Sequence, residues 1–169
     1  MIKYEITNEV HPRFENLRRI RALRDIPRHG VRTGDLGGYI ESEHNLAHDD
    51  DAWVANGAIV TDAARVTGNA LVSDEAHVSG NARVSDNARV YGDVWVSDAA
   101  LVSGEAKVSG NASVFGAAQV FGDARVSGYA RVTGNAFVYE NAEVSGEAWV
   151  SGEARVSDNA YVSGDQVVS

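Results

Sequence analysis

The sequence predicts an all-β repeat protein, in which short strands and tight corners wind coil on coil around one thin apolar core. Three observations predict it. Valine stands at every sixth position from Val54 to Val168, twenty times without a break. Alanine stands two residues before each of them, except at Val94 and Gln166. Most units close on a turn pair such as Gly-Asn, Asp-Asn, Gly-Glu or Gly-Asp, as in Ala-Arg-Val-Ser-Asp-Asn (82–87) and Ala-Lys-Val-Ser-Gly-Asn (106–111). Self-similarity at a fixed period sets the architecture ahead of any local signal.

Each part of the unit has a physical reason. Residues two apart on a strand share a face, so Ala and Val point one way. The residue between them, and the Ser or Thr after Val, point the other way. The inward pair is apolar, and the outward positions carry Arg, Lys, His, Ser, Thr and some aromatics. The closing pair tolerates a left-handed backbone or bonds its own main chain. Six residues hold one strand and one corner and leave no room for a helix. A short strand with one apolar face buries that face by stacking on copies of itself, and β-branched Val suits the pleated surface. Each buried Val contributes about 1.5–3 kcal/mol before entropy is subtracted, and contacts run only between neighbouring coils.

The run Val-Ser-Gly-Asn-Ala-Arg (78–83) resembles the hexapeptide repeat of left-handed parallel β-helices. The resemblance implies triangular coils of three hexads, a left-handed crossover against the usual right-handed rule, and homo-oligomers, with trimers favoured over dimers. The expected organisation is a small basic N-terminal cap segment, 1–33, and a β-helix, 34–169, regular over 52–169.

The head differs in charge from the body. Residues 1–33 hold eight basic and four acidic residues, a balance of +4; the remainder holds seven basic and twenty acidic, a balance of −13, within a net charge of −9. So acidic a body argues against nucleic acid along the helix. The head arginines either touch an anion or solvate the cap and pair with nearby acids. Ile2, Tyr4 and Ile6 alternate as a strand does. Residues 17–26 fit a strand or a short helix, and a hairpin-like cap is the expected form. A cap is needed because an end coil otherwise exposes an open edge. Leu36 falls in the valine register, and Ile40 and Leu46 in the alanine register, of an irregular first coil. The head sequence Arg-Ile-Arg-Ala-Leu-Arg-Asp (19–25), with Gly-Asp-Leu-Gly-Gly-Tyr-Ile-Glu (34–41) and Ala-Trp-Val (52–54), is similar to that of bacterial and prophage hexapeptide-repeat proteins of the YdcK type. Proteins of that type are mostly labelled transferases, by analogy of fold rather than of site. There is no cysteine, hence no disulfide framework. The first residues lack a signal-peptide core and no apolar run spans a membrane, so a cytoplasmic protein with no membrane partner is expected.

The chain offers little catalytic chemistry. Acyltransferases are the common enzymes on the resembled fold, and they carry a catalytic His and a loop excursion. Here the register admits no insertion from Val54 to Val168, and His77 is the sole histidine of the regular body. An acyltransferase using His77, or His44 or His48 from the head, is one alternative function, and a structural spacer is another. A zinc site of the γ-carbonic-anhydrase kind needs three histidines. An ice-binding surface needs a Thr ladder, where this chain has Arg, Leu, His, Lys, Trp or Phe. The run Asp49-Asp50-Asp51 reads as a solvated loop rather than a metal site, and no cofactor is expected.

What remains is the outward decoration. The face through Val54, Val72 and Val90 carries Arg89, Lys107 and Arg125 in one column, with Tyr91 beside it. Like charges so close repel, so either an anion bridges them or corner acids compensate. Trp95 and Phe115 lie on the face through Val96 and Val114. Leu101, Phe121, Phe137 and Tyr139 lie on the face through Val102, Val120 and Val138. The corner between these two faces is slim, Asp98-Ala99-Ala100 and Gly116-Ala117-Ala118. A contiguous apolar patch marks an interaction site: an oligomer interface first, a ligand platform second. The function expected is a non-enzymatic oligomeric binding protein, in the prophage setting of its resemblance, that holds a small anionic, nucleotide-like ligand or a host protein between protomers.

Overall fold

The computed structural model describes residues 2–169. Three longer strands open the chain, β1 Tyr4–Val10, β2 Arg18–Ala22 and β3 Leu36–Ile40. Twenty two-residue strands follow, one per hexad, from β4 (Trp53–Val54) and β5 (Ile59–Val60) to β23 (Val167–Val168). Two single 3-10 turns, Pro27–His29 and Glu43–Asn45, complete the described elements, and among the described residues no helix is long and apolar enough to cross a membrane.

The short strands pair in parallel with the strand three further on, as Val54 does with Val72 and Val90 with Val108. Each coil therefore takes eighteen residues and the chain forms a parallel β-solenoid of about seven turns. Its faces are sheets of ten, seven and six strands. The ladder runs straight up each face: Arg65 N–H donates to Ala82 O at 2.9 Å and Thr67 N–H to Val84 O at 3.0 Å. The valines from Val54 to Val162 and the alanines from Ala52 to Ala154 are buried in one continuous core, which Val94 joins in an alanine position.

The corners explain the second half of the unit. Every sixth residue from Asp50 to Gly164 has a left-handed backbone, with φ between 55° and 89°. At Gly92 a Cβ would lie 2.6 Å from the carbonyl oxygen of Gly110, so a side chain is excluded by space as well as by φ. Aspartates hold the same conformation because their carboxylates satisfy the corner one coil on. Asp62, Asp74, Asp86 and Asp98 accept from the N–H groups of Gly80, Gly92, Gly104 and Gly116 at 2.9–3.1 Å.

The first coil corrects the register read from the sequence. Ile40 pairs with Val60 and Leu46 with Val66, twenty residues apart rather than eighteen. Both are fully buried and occupy valine positions, not alanine positions. Leu36 lies outside the valine stack, opposite Arg21 of β2 and 48% exposed. The shift arises because eight residues, not six, separate Leu46 from Val54, and the extra length is the loop carrying Asp49, Asp50 and Asp51.

Residues 18–22 form a strand and settle the ambiguity of that stretch. β2 runs antiparallel to both β1 and β3, while β3 also pairs in parallel with β5. The antiparallel head thus continues the ten-stranded sheet, and its Tyr4, Ile20, Ala22 and Ile26 extend the valine core. Two buried polar residues tie it down. Asn45 Oδ1 accepts from the N–H groups of Glu41 and Ser42 at 3.1 and 2.8 Å, and its Nδ2 donates to the carbonyls of Asp62 and Ala64 at 3.0 and 2.9 Å. Lys3 Nζ donates to Ala52 O at 2.6 Å.

Candidate functional site

The seven-stranded face stacks its outward residues in the order Trp53, Leu71, Arg89, Lys107, Arg125, Glu143, Tyr161. Arg89, Lys107 and Arg125 therefore stand on successive coils, about 4.8 Å apart. Acids adjoin them. Arg125 Nη1 lies 3.5 Å from Glu143 Oε1, and a groove of about 330 Å³ is walled by Glu105, Asp123, Asn141 and Glu143 around Lys107 and Arg125. Tyr91 is exposed and borders a second groove of about 270 Å³, which Asp74 also lines. Glu143 was readable eighteen residues beyond Arg125, as the next rung of the same column.

The aromatic residues divide between two faces. On the ten-stranded face Trp95 stacks on His77, with ring centroids 4.6 Å apart, and is 55% exposed. Phe115 is half-buried on the following coil of that face. The six-stranded face orders its central outward column as Arg65, Arg83, Leu101, Gln119, Phe137, Arg155. Gln119 thus separates Leu101 from Phe137. Beside that column Phe121 and Tyr139 stack at 5.1 Å with planes 8° apart, and the Arg155 guanidinium lies 5.5 Å from the Phe137 ring centroid. Phe121 leads through the corner Gly122-Asp123 to Arg125, so the stacked rings and the cation column flank one edge of the prism.

Of the three candidate histidines, His77 and His48 are half-buried and His44 is exposed. His77 has its pKa lowered, first by burial and then by His11, while Asp62 opposes the shift. Trp95 covers its ring and, among the described residues, its side chain makes no hydrogen bond. His48 accepts the Lys3 N–H at 3.2 Å on Nδ1 and stacks on Tyr4 at 4.3 Å. His44 lies in the Glu43–Asn45 turn.

The aspartate loop is engaged by head cations. Arg24 Nη2 donates to Asp50 O at 2.6 Å and to Asp51 Oδ1 at 3.1 Å. Burial lowers the Lys3 pKa to about 8, with Arg24 acting in the same direction and Asp51, Asp50 and Asp49 against it. Among the described residues no three metal-ligating side chains converge.

Uniform strand spacing, parallel ladders and a single valine core define the chain as a parallel β-solenoid repeat protein. The family described as the YdcK beta solenoid repeat matches residues 82–98, 118–134 and 154–169, segments that begin two coils apart. Together with the parallel solenoid, these matches support a YdcK-like β-helix repeat protein. No curated protein matches it.

Proposed function

We propose that the protein is a non-enzymatic, homo-oligomeric binding protein that holds a small anionic, nucleotide-like ligand where protomers meet. The observation that carries this reading is the edge shared by the stacked Phe121 and Tyr139 and by the column Arg89, Lys107 and Arg125, with Phe121 one corner from Arg125. Half-buried rings that turn away from the core suit the apolar centre of an interface, where aromatic anchors dominate the energy. Cations around the corner from them suit an anion enclosed by the assembly. The corner acids Glu105 and Asp123 and the next rung Glu143 offset these charges, so the anion must offer more than charge, and a planar group that stacks on a ring supplies it. A trimer, coiled left-handed, is the assembly the hexapeptide resemblance implies; a host protein on the same edge is the other occupant of this reading.

The test is the double variant Phe121→Ser, Tyr139→Ser, which places at both positions the residue most hexads carry there. It should keep its far-ultraviolet dichroism and form a smaller oligomer by light scattering. An unchanged oligomer would remove the interface from this edge. Lys107→Glu should lose any co-purifying anion while still melting cooperatively.

A further inference from the structure

A different groove, on the six-stranded face, has the composition of a phosphate site. Arg65 and Arg83 are partners on adjacent coils, both exposed, with Leu101 as the next rung. Thr67, Ser85 and Ser103 come directly after the strands that hold them, and the six side chains line an open groove of about 380 Å³. Its wall contains no carboxylate, whereas the two grooves over the neighbouring face are lined by Asp74 in one and by Glu105, Asp123 and Glu143 in the other. Among the described residues neither Arg65 nor Arg83 has a carboxylate within 4.0 Å, while Arg19, Arg21, Arg24 and Arg125 each do.

Like charges directly opposite on a sheet repel, so this pair is under an electrostatic load that a dianion would relieve. Two guanidinium forks present rigid, bidentate donors matched to phosphate oxygens. The three hydroxyls add donors beside them, and Leu101 adds an apolar floor on one side. We infer that Arg65 and Arg83, with Thr67 and Ser85, form a binding site for the phosphate group of a small monoester whose organic part lies over Leu101. The groove ends at Ser103, one coil before Phe121 in the same column, and all six lining residues belong to one chain.

The experiment titrates inorganic phosphate and phenyl phosphate into the full-length protein at low salt, following arginine side-chain resonances and heat. Both should bind saturably, phenyl phosphate more tightly. Arg83→Gln and Arg65→Gln should each weaken binding about tenfold or more, the loss expected for a charge-assisted hydrogen-bonding pair. Arg131→Gln, an exposed cation on the ten-stranded face, should change it by less than about twofold. Dichroism checks that each exposed substitution leaves the fold intact. Absence of saturable binding by both probes, undiminished binding by Arg83→Gln, or loss in Arg131→Gln would overturn the site. Equal affinity for the two probes would overturn the assignment of an ester.

Discussion

Asn45→Ala offers a stringent view of how the first coil is held. Asn45 is fully buried and all four of its hydrogen-bonding capacities are used, two within its own turn and two to the coil above. A net hydrogen bond contributes about 0.5–1.5 kcal/mol, and a buried group left without a partner costs about 1–3 kcal/mol. The Glu41 N–H keeps Val60 O at 3.2 Å, and Ser42 and Asp62 are exposed residues, while Ala64 is sealed. The expected loss is therefore about 2–4 kcal/mol, concentrated in the head and the first two coils because solenoid contacts are between neighbours. Hydrogen exchange resolves this: amides of Tyr39, Ala47 and Trp53 should lose protection, while those of Lys107 and Arg125 keep it. A loss below about 1 kcal/mol, or equal deprotection along the whole prism, would refute the argument.

Two further expectations concern the core and pH. Val108→Asp places a charge without a partner at a fully buried position and should unfold the middle coils, whereas outward Lys107→Asp should change stability little; comparable melting of the two would contradict the inside-outside register. Lys3 has a folded pKa of about 8 against its ordinary 10.5, so across that window the unfolded chain holds the proton that the folded chain has released. Head stability should therefore rise with pH from about 8 towards 10.5, by at most about 3 kcal/mol. Tyr4, whose pKa burial raises, gives the opposite slope above about pH 10. Lys3→Met should abolish the rise, as read by denaturant titration across that range.

The solenoid was legible because each hexad repeats one physical instruction, two apolar residues inward and one left-handed corner. The cation column was legible because eighteen residues return the chain to the same face, and the same step links Arg65 to Arg83 and Arg125 to Glu143. Neither link was drawn from the sequence: three like charges in a row attract notice, while a pair, or the acid that ends a row, does not. The first coil was misread because two extra residues before Val54 shift its register, which no periodic rule reveals. Lys3 and Asn45 escaped because their burial depends on partners distant in sequence, Ala52 for one and Ala64 for the other.

The proposed function requires an assembled prism that holds an anionic ligand. Native mass spectrometry of protein purified gently from its host reports stoichiometry and bound mass together. The account predicts a homo-oligomer, three copies before two, carrying a small anionic ligand that leaves when the Phe121→Ser, Tyr139→Ser variant dissociates. A bare monomer would contradict it.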